Sequence, residues 1–164
     1  MKTLYAAALI LMSFHVSAAP NTHLTEFVKI FNDFCFNYKH NPRGAVNALE
    51  SRGLKRNPQF QDAYEILIDG IDYAVTPQQL DCTADVLVGN RTNVLFSRNE
   101  INKRLKTAFN LTERRTRYFD DVALNNKNTR IRQTDYIGKD GFKYRLLYPE
   151  TNQNSYYMTF TIDW

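Results

Sequence analysis

The sequence predicts an α+β domain: three to four helices packed on a curved antiparallel sheet of about four to five strands, most strands in the C-terminal half. Two observations carry this. Between Leu24 and Phe109 apolar residues recur mainly at helical spacing, with Asn-Pro pairs and a capping box at the starts. After Arg114 the pattern changes to period-two stretches rich in Tyr, Phe, Thr and Ile.

Residues 1–18 read as a signal peptide. Met1-Lys2 supplies a positive charge, Leu4 to Met12 a short apolar run, and Val16-Ser17-Ala18 a small-residue cleavage site. The run is too short to span a bilayer, and no later stretch is apolar enough to do so. Residues 19–164 are therefore expected to form a single disulfide-linked domain, exported to the periplasm or secreted.

The strongest helical signal is Leu24, Phe27, Val28, Phe31, Phe34, Cys35 and Tyr38, which share one face and demand burial. A second helix is expected over about 42–52: Asn41 is a good cap, Pro42 suits the first position, and Gly53 stops it. Asn57-Pro58 repeats that start, and Phe60, Ala63, Tyr64, Leu67, Ile68 and Ile71 follow at helical spacing, predicting a helix from 58 to about 73. A strand over Ile66–Val75 is the competing reading. Cys82, Ala84, Val86 and Val88 alternate and predict a strand whose inner face offers Cys82 to the first helix, although a helix over 77–88 also fits. Ser97 to Glu100 is a capping box with Phe96 and Ile101 as a hydrophobic staple, opening a surface helix over about 98–109. Strands follow at 114–119, 129–137, 142–148 and 155–163, with a hairpin turn at Gly138 to Gly141. Met158, Phe160, Ile162 and Trp164 share a face with Tyr156, and Phe142, Tyr144, Leu146 and Tyr148 are their expected cross-strand partners.

Cys35 and Cys82 are the only cysteines, and an oxidising compartment favours joining them. On the chain-entropy account the bridge stabilises by about 4 kcal/mol. With only His23 and His40 beside them in residues 19–164, no metal site is read, and no cofactor is expected. The residues also lack a recognisable catalytic set. Ser51, Ser97 and Ser155 have no G-x-S-x-G context, Ser97 is explained as a cap, and there is no glycine-rich phosphate loop, so a non-enzymatic role is expected.

Charge is unevenly spread. Residues 19–90 carry six Lys/Arg against nine Asp/Glu, residues 91–132 eleven against four, and residues 133–164 three against four. The middle block places Arg115 and Arg117 on one strand face and Arg114 on the other, and Arg130 and Arg132 together on the next strand. If those strands pair, the arginines would form one patch, with Lys103 and Arg104 nearby, that attracts an anionic partner. An acidic protein suits an exported chain better than nucleic acid, and an anionic glycan or lipid headgroup is a further option. The competing reading pairs these arginines with Asp120, Asp121 and Asp135 on a solvated face. The function expected is thus an interaction module of inhibitor or immunity type. The alternative is a small-ligand pocket or weak hydrolase between sheet and helices, lined by Tyr144, Tyr148, Tyr156 and Trp164.

Overall fold

The computed structural model describes residues 22–60, 62–87, 96–122, 126–150 and 157–164; residues 1–18, expected to be a signal peptide, lie outside them. Helix α1 (Thr22–Phe34) buries Leu24, Phe27, Ile30, Phe31 and Phe34. It stops earlier than its apolar spacing suggests, giving way to a 3-10 turn over Phe36–Tyr38. Helix α2 (Pro42–Ser51) starts as expected: the Gly44 N–H donates to Asn41 Oδ1 (3.0 Å), and Pro42 sits in the first turn. Helix α3 (Arg98–Phe109) buries Ile101, Leu105 and Phe109. Its staple forms, with Phe96 and Ile101 both fully buried. The Ser97 hydroxyl makes no capping bond, and the first helical turn is closed by the Ile101 N–H on the Ser97 carbonyl (2.9 Å).

The sheet differs from expectation. Among the described residues it has eight antiparallel strands, not four to five, shared equally between the two halves of the chain. They are β1 (Arg56–Asn57), β2 (Ala63–Ile68), β3 (Ile71–Pro77), β4 (Asp81–Leu87), β5 (Leu111–Val122), β6 (Asn128–Gly138), β7 (Lys143–Pro149) and β8 (Met158–Asp163). The helix expected over 58–73 is instead the β2–β3 hairpin. Ile68 pairs with Ile71, and the two residues between them, Asp69 (φ 51°) and Gly70 (φ 74°), both adopt the left-handed conformation that such tight hairpin turns require. Asn57 does not cap a helix; its Oδ1 accepts from the Gln59 N–H (3.0 Å), closing a side-chain turn. Over 81–87 the strand reading holds, with Cys82, Ala84 and Val86 buried on one face of β4, and Val88 lies outside the described residues.

The strand order is β1-β2-β3-β4-β8-β7-β6-β5. Two four-stranded meanders thus meet at a single seam, where β4 pairs with β8 from Asp81↔Asp163 to Val86↔Met158. The helices cover one face. Phe31 of α1 packs on Phe160 (ring centroids 4.4 Å apart), Phe109 (5.1 Å) and Tyr144 (6.4 Å). Met158, Phe160 and Ile162 of β8 are fully buried there, and Tyr144 and Leu146 lie opposite Ile162 and Phe160 as the alternation predicts. Strand β6 changes its buried face midway: Thr129, Ile131 and Gln133 are buried on the outer face, Thr134 and Tyr136 on the helix face.

Two ties fasten the segment that follows α1 to this sheet. Cys35 and Cys82 form a disulfide with Cα atoms 5.4 Å apart, joining the end of α1 to β4 as expected; such a bond is compatible with an oxidising, extracytoplasmic location. Beyond it, Lys39 Nζ pairs with Asp140 Oδ2 (2.7 Å) on the β6–β7 turn and lies 4.2 Å from the Phe36 ring centroid. Asp140 also accepts from the Tyr144 hydroxyl (3.0 Å) and the Phe142 N–H (3.1 Å). Burial acts to raise the Asp140 pKa, but these bonds and the ammonium charge outweigh it and hold the carboxyl below the usual range. No helix among the described residues is long and apolar enough to cross a membrane.

Candidate functional site

The outer face of the sheet, opposite the helices, follows from strand register. One row crosses six strands: Arg117, Gln133, Leu147, Thr159, Asp85 and Ala74, with Glu65 beyond. The next row runs Arg115, Asp135, Arg145, Thr161, Thr83 and Thr76. Facing residues share a side, so the basic groups gather over β5–β7 and the acidic groups Glu65, Asp72 and Asp85 over β2–β4.

At the basic end β5 carries a bulge. Glu113 lies opposite Tyr136 and Arg115 opposite Asp135, which leaves Arg114 as the extra residue. The irregularity breaks strict alternation and lets Arg114 and Arg115 border the same cleft, of about 480 Å³. Lys143 and Arg145 of β7 form its other side, Ile137 is its apolar side chain, Tyr136 and Tyr144 border it with their rings buried on the helix face, and Asp135 and Asp163 are its acidic groups.

Asp135 is the hub. Its Oδ1 accepts from Gln133 Nε2 (2.6 Å) and Arg145 Nε (3.4 Å), its Oδ2 from Arg115 Nη2 (3.2 Å). Burial acts to raise its pKa; the hydrogen bonds from Gln133 and Arg115 and the Arg145 charge outweigh that and hold it below the usual carboxylate range. One carboxylate thus serves two guanidinium groups. Four cations face two anions in the cleft, an excess of two positive charges. The Arg115 and Arg145 side chains are 62% and 45% exposed, so each keeps donors available to a ligand.

The expected single arginine patch is split by the sheet. Arg115 and Arg117 lie opposite Asp135 and Gln133 on the outer face, and Arg117 donates to Gln133 Oε1 (2.9 Å). Arg130 and Arg132 lie opposite Asp120 and Tyr118 on the other face. Arg130 pairs with Asp120 (3.4 Å) and stands over the Tyr118 ring, and Arg132 is half-buried beside Tyr148. Lys103 and Arg104 ride on α3, on the helix side; Asn102 between them and the sheet accepts from the Tyr136 hydroxyl (2.8 Å). The competing reading is thus met for Arg115 and Arg130, each paired to an aspartate.

Lys143 and Arg145 were not singled out by the sequence, although their place follows from it: if Tyr144 and Leu146 face the core, their neighbours face outward. Of the aromatic pocket residues, Tyr144 and Tyr148 are buried, and their hydroxyls donate to Asp140 and to the Phe96 carbonyl (2.7 Å). The Trp164 indole donates to the Gln78 carbonyl (3.2 Å), and Tyr156 lies outside the described residues.

At the acidic end, Asp85 accepts from the Thr159 hydroxyl (2.6 Å), and burial pushes its carboxyl up to about 6. Tyr157, 5.4 Å from Phe60 between ring centroids, has its phenol raised by burial first and by the charges of Asp85, Glu65 and Asp72 next.

The fold and cleft define a class only in structural terms, a disulfide-tied eight-stranded sheet covered by helices on one face and bearing a cationic cleft on the other. No protein family, curated protein or solved structure matches the chain.

Proposed function

We propose that the protein is an exported, non-enzymatic binding module of inhibitor or immunity type that engages an acidic surface of another protein through the cationic cleft. The observation that supports this reading is the excess of cations around the cleft, with Arg114, Arg115, Lys143 and Arg145 converging on one space. Guanidinium groups match carboxylates in a two-pronged geometry, and an apolar lining lowers the local dielectric in which they act. The disulfide supports the exported location, since such bonds persist in oxidising compartments.

The test is an NMR titration with an Asp/Glu-rich peptide at low and high salt. Shifts should centre on residues 114, 115, 143 and 145, fade with salt, and disappear in Lys143→Glu/Arg145→Glu while persisting in Arg130→Glu. Equal losses in both variants would overturn the assignment to this cleft. The same cleft favours a second reading, a small carboxylate, because its volume of about 480 Å³ lies within the roughly 300–1,000 Å³ usual for ligand pockets and the apolar Ile137 lines it beside the cations. Titration with benzoate-type acids separates the two: saturation by the small acid alone selects the ligand reading.

A further inference from the structure

We propose that the protein pairs with a second copy of itself through the β5 edge, extending two sheets into one. Strand β5 closes the sheet on one side with no strand beyond it among the described residues. From Thr112 to Val122 its residues are exposed or half-exposed, and Tyr118 is 48% exposed. A long open edge offers unpaired main-chain donors and acceptors, and chains usually blunt it with charge or a bulge. Here the bulge lies between Glu113 and Arg115, so regular pairing is confined to the segment after it.

That segment reads Arg115-Thr116-Arg117-Tyr118-Phe119-Asp120-Asp121: cations, an aromatic centre, then anions. Arg115, Arg117, Phe119 and Asp121 share the outer face; Thr116, Tyr118 and Asp120 share the other. A two-fold axis through Tyr118, perpendicular to the sheet, creates an antiparallel ladder in which Tyr118 meets its own copy. Arg117 then faces Phe119 of the second copy and Arg115 faces Asp121, each contact occurring twice because the interface is isologous. Opposite charges and cation–aromatic pairs across strands are both favourable. Other registers are worse. A shift by one sets side chains of opposite faces against each other. A shift by two toward the start sets Arg117 on Arg117; one toward the end keeps an Arg117–Asp121 pair but loses both Arg117–Phe119 contacts and runs Arg115 past Val122, so only the central register uses both arginines.

Charge protects an edge only against strands lacking the complementary order, and this strand is its own complement. The occupant is therefore a second copy rather than a foreign peptide. The contact does not rest on the cleft reading, although Arg115 serves both.

Sedimentation velocity over a concentration series tests it. The wild type should show a monomer–dimer equilibrium that weakens with salt. Asp121→Arg and Arg115→Asp should each weaken dimerisation tenfold or more, the double variant Arg115→Asp/Asp121→Arg should restore it, and Tyr118→Lys, which sets two ammonium groups on the axis, should abolish it. Circular dichroism confirms that each variant is folded. A wild type that stays monomeric at every concentration overturns the proposal, including one that instead captures an acidic strand peptide. So does a dimer indifferent to both Asp121→Arg and Tyr118→Lys, or a double variant that fails to recover. The outcome is separable from the cleft: Lys143→Glu/Arg145→Glu should lose acidic-peptide binding yet dimerise, whereas Tyr118→Lys, on the opposite face from the cleft, should stay monomeric yet bind the acidic peptide.

Discussion

Asp85 and Asp135 stand on the same face of one sheet, three strands apart, and their chemistry is opposite. Asp135 is ringed by donors from Gln133, Arg115 and Arg145, which keep it ionised. Asp85, on β4, has the Thr159 hydroxyl and a surround of Leu147, Ala74 and Tyr157, with further carboxylates at Glu65 and Asp72. The backbone frame is the same; the difference lies in which side chains the register delivers. A cation-rich half can recruit an anion, whereas the other half stores an unfavourable charge. Linkage makes the contrast measurable. Asp85 has its folded pKa raised to about 6, so its contribution to stability is full below the unfolded value of about 4 and is lost as pH rises through 6. Asp135 has its folded pKa lowered, so its contribution is present above about 4 and is lost as pH falls through the folded value.

The largest expected effect tests whether the halves are also unequal in stability. Replacing Cys35 and Cys82 together by Ala should lower unfolding free energy by about 4 kcal/mol in denaturant titration. Hydrogen exchange should quicken first in β2–β4, because the bridge lands on β4; equal loss in β5–β7 would dissolve the distinction. Next, Asp85→Asn should stabilise the fold at pH 7 by on the order of 2–3 kcal/mol and flatten the stability profile between pH 4 and 6, while keeping an acceptor for Thr159. Asp135→Asn should act in the other direction, costing about 1 kcal/mol through the lost charge-assisted bonds. Smallest, Arg115→Ala should change thermal stability by under about 0.5 kcal/mol, since its ion pair is solvent-exposed, while still weakening acidic-peptide binding.

Helices α1 and α3, the four C-terminal strands, the Gly138–Gly141 turn and the disulfide were legible because each rests on a strong local pattern: an apolar stripe, a staple, clean alternation, or a lone cysteine pair. Residues 58–73 were not. Tyr64, Ile66 and Ile68 alternate, but Ala63, Tyr64, Leu67, Ile68 and Ile71 also satisfy a helical stripe, and the tie is broken by Asp69-Gly70, a hairpin turn inside the span expected to be helical. Misreading that dipeptide removed β2 and β3, a quarter of the sheet. The site was partly legible. Arg114 and Arg115 were named, but Arg130 and Arg132 could be assigned to the other face only from pairing register, which is a long-range property. Lys143 and Arg145 were overlooked because they lie in the last third, where acids outnumber bases by one.

The seam between the meanders has a temporal consequence. Strand β8 is the last of the described strands along the chain, yet it occupies the middle of the sheet. During synthesis, β8 emerges after the seven other described strands, and until then the β4 ladder waits without this partner. Assembly therefore waits for residues 158–163, and a chain cut shortly before residue 158 would hold two half-sheets with nothing to zip them together.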